Sequence, residues 1–369
     1  MWKYITVILF LSCCFNGYAQ NREIDFKAIG WEKALKMAEK QKQVIFMDCY
    51  TSWCGPCKIL AKEVFTQDSV ADFFNRNFVC VKMDMEKEGK PLMEKYGVRA
   101  FPTLLFIEPQ SGKVLHRLVG AGKADWLMAG GKLALDSRNN LSGLTTRYNQ
   151  GERQPEFMET YLDALADAGL SHLRDSIMEV WFKALPDEEL LTPVCWKVID
   201  RHLDARSDPQ SYCFQRLVKL YRQFYQVIDR DKVDFRIGVV VQNYMARYIR
   251  WEAANGKPFD EKGYHELVAC LQNFNYPPVA SWLAQLYTAD YMAKQDYRGM
   301  IATMKEAMKY RFMDNFQEGY YLLLFLPRLK ECTDRQLVDE VVDWLSDWLK
   351  KHPDNELLTH LKDLLAAVK

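Results

Sequence analysis

Two rhythms of apolar residues divide this chain. Up to about Leu135, short apolar runs of strand length alternate with stretches spaced for helices; beyond Gln154 only the helical spacing persists. Asp25 to Gln43 predicts a helix, with Trp31, Ala34, Leu35, Met37 and Ala38 in one stripe and Glu32, Lys33, Lys36 and Lys40 on the wet side. Val44 to Tyr50 is nearly all apolar, as a strand buried on both faces must be. A helix follows to about Phe65, and Asp68 is the expected cap of another carrying Val70, Phe73 and Phe74. Phe78 to Met83 predicts a strand, Glu86 to Glu88 a turn, and Pro91 to Tyr96 a short helix stopped by Gly97. Thr103 to Ile107 and Lys113 to Val119 predict two strands joined at Pro109 to Gly112, and Ala124 to Leu135 a closing helix. The order is β-α-β-α-β-β-α behind one leading helix.

Residues 136–153 are rich in Ser, Asn, Gly and Thr and read as a linker. The remainder, 154–369, reads as an all-α domain of helical hairpins punctuated by Pro and Gly. Thr192-Pro193 has the form of a cap followed by a first-turn proline, Asp208-Pro209 repeats it, and Gly256 and Pro353 mark ends. Ile237 to Val241 could be a strand, but the helical spacing of Asn243 to Trp251 favours a helix.

With 369 residues, two domains are expected. Lys+Arg and Asp+Glu balance at 49 each, which speaks against nucleic acid and anionic lipid as partners. Lys3, the apolar run Ile5 to Phe15 and the small-residue site Gly17-Tyr18-Ala19 make residues 1–19 a signal peptide, so the mature chain is expected to be exported, in a bacterial periplasm. Phe10-Leu11-Ser12 fits lipid attachment at Cys13 poorly, and no later run suits a membrane span.

The chemistry concentrates at Cys54-Gly55-Pro56-Cys57, between the apolar strand and the next helix. A thiol at a helix N-terminus meets unpaired N–H groups and the positive end of the dipole. Such sites lower a cysteine pKa to roughly 3.5–7.5 and favour the reactive thiolate. The second sulfur lies one turn on, close enough to close a disulfide. A static bridge is the alternative in an oxidising compartment, but it needs none of Trp53, Gly55-Pro56, Asp48 or Pro102. A zinc site lacks a second ligand pair, so no metal is expected. Asp48 lies inside the apolar strand, where a carboxylate must be neutral or partnered.

Trp53-Cys54-Gly55-Pro56-Cys57-Lys58 resembles the active-site motif of thioredoxins letter for letter. Asp48, six residues earlier, stands where the family keeps a buried acid, Tyr96 to Thr103 is similar to its second signature, and Val119-Gly120 to the end of its last strand. Phe65 onward also resembles, more loosely, the reductase domains of bacterial periplasmic thiol-transfer proteins. The resemblance implies an α/β thioredoxin-like fold over residues 20–135, a central mixed sheet flanked by helices. It makes Cys54 the nucleophile, Cys57 the resolving thiol and Asp48 the handler of its proton. It implies that Pro102 is cis and faces the disulfide. Trp53, Gly55, Pro56, Phe101 and Thr103 then form the substrate-binding surround, and Lys58 is either an electrostatic aid or an ordinary solvated residue.

The implied activity is reduction of protein disulfides through Cys54 and Cys57, with no cofactor beyond that redox-active disulfide. Electrons would come from another thiol protein. Disulfide isomerisation or oxidation is the alternative direction; a helical protein-binding scaffold carrying the fold as a module is the rival from another class. Tyr291 to Tyr297, with Ile301, Met304, Ala307 and Met308, resembles part of a tetratricopeptide repeat, although Thr288 and Met300 replace its small residues. The aromatic residues Tyr212, Phe214, Tyr221, Phe224, Tyr225, Tyr287, Tyr291, Tyr320, Tyr321 and Phe325 are expected mostly in the helical core, and residues after Arg153 are expected to choose the protein partner. Cys49 and Cys80 read as small buried hydrophobes, and Cys195, Cys213, Cys270 and Cys332 as free buried thiols. The six histidines show no catalytic or ligand spacing.

Overall fold

The computed structural model describes residues 22–250 and 259–368. The signal-peptide reading of residues 1–19 and the helix end at Gly256 lie outside the described residues. The chain divides into two compact units, Met1–Arg174 and Asp175–Lys369.

In the first unit, β1 (Val44–Tyr50), β2 (Phe78–Asp84), β3 (Thr103–Ile107) and β4 (Val114–Val119) form one mixed sheet in the order β2-β1-β3-β4. β1 runs parallel to β2 and antiparallel to β3, and β4 is antiparallel to β3. The interior position of β1 explains its apolar sequence. Its side chains alternate between two cores. Ile45, Met47 and Cys49 join Ala34 and Ala38 of α1 (Trp31–Gln41), while Phe46 joins Leu60 of α2 (Gly55–Glu63) and Phe74 of α3 (Asp68–Asn77). α4 (Lys90–Lys95) lies on the first face, through Leu92, and α5 (Ala124–Leu135) on the second, through Leu127.

Several local expectations are corrected. The leading helix starts at Trp31 rather than Asp25, because the residues before it bond elsewhere: Ile24 N–H donates to Phe65 O and Lys27 N–H to Cys80 O, each at 2.9 Å. Gln67, not Asp68, is the N-cap of α3, and Asp68 Oδ1 accepts from the Arg22 N–H at 2.8 Å. The stretch read as a linker holds a helix, α6 (Leu141–Asn149). Asn140 caps it by accepting from Gly143 N–H at 2.8 Å, and a Cβ on Gly143 would come within 2.2 Å of Ser137 O. α6 and α7 (Pro155–Asp167) pack on β4, so the first unit runs on well past Leu135.

The described elements of the second unit are all helical. Thr192 caps Pro193–His202 by accepting from Cys195 N–H. The parallel device at Asp208 is not a cap: Asp208 sits in a turn, and Ser211 caps Tyr212–Lys219. Ile237 to Val241 lies inside the helix Arg230–Ile249. Helices Val279–Ala293 and Tyr297–Lys309 pack together as a hairpin, with Asp296 accepting from Gly299 N–H at 2.9 Å at the turn. Thr288 and Met300 are fully buried there. Of the aromatic row, Phe214, Phe224, Tyr321 and Phe325 are core residues, whereas Tyr212 and Tyr320 are exposed.

Candidate active site

Strand directions gather the candidate residues at one end of the sheet. Because β1 and β2 are parallel, with Tyr50 opposite Asp84, the segments leaving both emerge together. Because β3 is antiparallel, its first residue, Thr103, lies opposite Cys49. Three loops therefore meet there: Thr51 to Cys54, Met85 to Glu88, and Ala100 to Pro102.

Cys54 and Cys57 form a disulfide, with their Cα atoms 5.3 Å apart. Cys54 is the N-cap of α2 and its Sγ accepts from Cys57 N–H at 3.1 Å. Pro56 has no N–H to offer, so that first turn directs the Cys57 donor at sulfur. A thiolate at Cys54 would gain this bond and the helix dipole together. Both sulfur-bearing residues are nearly buried, while Trp53, Gly55, Pro56 and Lys58 around them are exposed.

Asp48 lies on the same face of β1 as Phe46, the face covered by α2. Its side chain is 1% exposed, Oδ2 stands 3.7 Å from Lys82 Nζ, and Oδ1 has no hydrogen-bond partner. Burial pushes the carboxyl up from 3.8 to about 6, and the Lys82 ammonium only partly offsets this. The group can therefore hold or release a proton near neutral pH.

Lys82 was not singled out from sequence. It is the β2 residue in register with Asp48, and its ammonium also lies 4.8 Å from the Phe26 ring centre and 5.4 Å from that of Phe65. A lysine interrupting the apolar run Phe78 to Met83 was the available signal.

The Phe101–Pro102 peptide bond is cis and Pro102 is buried. Pro102 O accepts from Gly120 N–H at 2.9 Å, and the Thr103 hydroxyl donates to Ala100 O at 2.8 Å. Phe101 meets the Trp53 ring edge-on at 6.0 Å, and Trp53 Nε1–H donates to Glu86 Oε1 at 3.0 Å. Trp53 thus ties all three loops together; Glu86 was not anticipated. Cys49 and Cys80 are buried free thiols whose pKa burial raises. His116 is buried on β4, its Nδ1 accepts from Leu141 N–H, and burial lowers its pKa to about 4. Among the described residues no three His, Cys, Asp or Glu side chains are grouped to hold a metal ion.

A thioredoxin-like domain profile matches residues 31–129. Thioredoxin H4 of Arabidopsis thaliana is 34% identical over 95 residues, covering 26% of this chain and 75% of that protein. The thiol:disulfide interchange protein DsbD of Haemophilus influenzae is 32% identical over 117 residues, 29% of this chain but only 20% of the relative. Among solved structures, a provisionally assigned disulphide-isomerase from Bacteroides thetaiotaomicron is 53% identical over 32% of this chain and 98% of that one, with a TM-score of 0.30.

Proposed function

The chain belongs to the thioredoxin family of disulfide oxidoreductases, and on that premise we propose that it is an exported reductase of protein disulfides. The observation that carries this reading is the Cys54–Cys57 disulfide in the first turn of α2, over a sheet face that holds a buried acid with an unpartnered oxygen. In the dithiol form, the Cys54 thiolate attacks one sulfur of a substrate disulfide. The substrate S–S bond breaks, a Cys54–substrate disulfide forms, and the other substrate sulfur leaves as a thiolate that takes a proton. Asp48, ionised and on the sheet face that α2 covers, accepts the Cys57 proton. Cys57 then attacks Cys54 Sγ, which closes the Cys54–Cys57 disulfide and releases the second substrate thiol. Two electrons pass from enzyme to substrate.

Phe101 and the backbone before Thr103 offer an edge for an extended substrate segment, beside the exposed Trp53, Gly55 and Pro56. A second thiol protein must return the electrons, and the name of the DsbD relative, thiol:disulfide interchange protein, fits such a partner. Export rests on Lys3, the apolar run Ile5 to Phe15 and the site ending at Ala19. No helix among the described residues is long and apolar enough to cross a membrane.

Insulin reduction with dithiothreitol as electron source tests the chemistry. The native protein should accelerate it and Cys54→Ser should abolish the acceleration. Cys57→Ser should accumulate mixed disulfides on Cys54. Trapping by Cys54→Ser and not by Cys57→Ser would reverse the two roles.

A further inference from the structure

In the second unit the exposed aromatic side chains are not scattered. Seven aromatic residues are strongly exposed among the described residues, and four of them, Tyr310, Phe312, Phe316 and Tyr320, fall within eleven positions. Phe316 lines a cleft of about 1040 Å³ between the C-terminal end of helix Tyr297–Lys309, the start of Asn315–Phe325 and the last turns of Arg335–Lys351. Trp344, Trp348 and the two methionines Met308 and Met313 line it with Phe316, which makes an apolar floor that can adapt to a side chain. Tyr310 and Phe312, on either side of the lining residue Arg311 in sequence, stack on each other with ring centres 5.9 Å apart.

Charge at the same cleft is positive on balance, four cations against two carboxylates. Lys305, Lys309, Arg311 and Lys351 line it, and none of them forms an ion pair with a described residue. Two carboxylates line it as well, and both are already engaged. Asp314 accepts from Gln317 N–H at 2.8 Å in a capping box, and Glu318 Oε2 accepts from Trp348 Nε1–H at 2.9 Å. Lys305 lies 5.4 Å from the Trp344 ring centre, so cation and aromatic surface are presented together. Aromatic and arginine side chains around a concave centre are the composition of protein-binding hot spots.

We propose that this cleft docks an acidic polypeptide segment carrying an aromatic or aliphatic anchor, the anchor meeting Phe316, Trp344 and Trp348 and the acids meeting Lys305, Lys309 and Arg311. Complementary charge selects the occupant: four unpaired cations favour Asp and Glu, and the apolar floor needs a large side chain to displace its water. Burial separates this reading from a lipid surface, because a flat bilayer would reach the exposed Tyr310 and Phe312 but not Trp348, which is 6% exposed. The proposal does not depend on which way Cys54 and Cys57 move electrons.

Fluorescence anisotropy on the full-length protein tests it, with a fluorescein-labelled synthetic peptide of Phe and Leu set among Asp and Glu, and the same peptide with Lys in place of each acid. The acidic peptide should bind saturably and the basic one should not. The triple variant Lys305→Glu, Lys309→Glu, Arg311→Glu should weaken binding by at least about tenfold, as reversed charges at an interface do. A second variant, Phe312→Ser with Phe316→Ser, should weaken it comparably and leave insulin reduction unchanged; these positions are at the surface, so far-ultraviolet circular dichroism should stay native. Equal binding by native protein and triple variant, or no saturable binding, overturns the proposal. So does preference for phosphatidylserine vesicles or an oligothymidylate over the peptide.

Discussion

Two buried carboxylates, one from each unit, are treated differently. Asp48, in a strand of the first unit, has one oxygen 3.7 Å from an ammonium and the other with no partner. Glu318, in a helix of the second, is also buried, but it accepts a 2.9 Å bond from the Trp348 indole. A satisfied buried polar group fixes a structure, whereas an unsatisfied one stores a tendency to take up a proton. The difference separates an acid placed for chemistry from one placed for packing. It also implies that the first unit gives up stability to keep Asp48, while the second gains it from Glu318.

The larger expected effect is on Asp48. Its carboxyl rises from 3.8 in the unfolded chain to about 6 in the folded one, a difference of about 2 pH units. Below about pH 4 both states are protonated and no stability is lost. As pH climbs from about 4 to 6 the unfolded chain releases the proton first, so stability falls. Above about pH 6 the loss is complete, at about 3 kcal/mol given 1.36 kcal/mol per unit. Asp48→Asn should therefore unfold at higher urea than the native protein at pH 8, by up to about 3 kcal/mol, and the gain should vanish near pH 4. The same variant should slow attack by Cys57 more than attack by Cys54, most strongly near neutral pH. A variant less stable than the native protein at pH 8 would place Asp48 with Glu318, as a structural acid.

A smaller effect of opposite sign is expected at Glu318. Glu318→Leu leaves the Trp348 N–H buried and unpaired, a loss of about 1–3 kcal/mol in urea unfolding of the second unit. Glu318→Gln keeps an acceptor and should recover most of it. Leu as stable as the native residue would erase the contrast between the two carboxylates.

Much of the first unit was legible because its signals are local. The apolar run Val44 to Tyr50 and the strand Thr103 to Ile107 need only their own composition to be read, and both have the expected bounds. Cys54 at a strand-to-helix turn is likewise local. Lys82 and Glu86 were not legible, since one matters only through its register with Asp48 and the other through a loop meeting Trp53. Helix α6 was missed because Asn140 and Gly143, which read as loop residues, are its cap and the close-packed residue that the cap bonds. The helix predicted over Asp25 to Gly30 does not form, since distant acceptors that periodicity cannot see, the Asn75 side chain and the Cys80 carbonyl, claim the N–H groups of Asp25 and Lys27. In the second unit, helices were readable one by one. Lys305, Lys309, Tyr310, Arg311, Phe312 and Phe316 are close in sequence, but Trp344, Trp348 and Lys351 join Phe316 around one cleft only when three helices are assembled.

The central claim is that Cys54 and Cys57 give electrons to protein disulfides. The equilibrium potential of that pair, measured against a glutathione or dithiothreitol series on the full-length protein, tests it most directly. Gly55-Pro56 between the cysteines resembles the reducing members of the family, so a value near the roughly −270 mV of a thioredoxin is expected. A value near about −120 mV, that of a strong oxidant, would contradict the claim and make the protein a donor of disulfides.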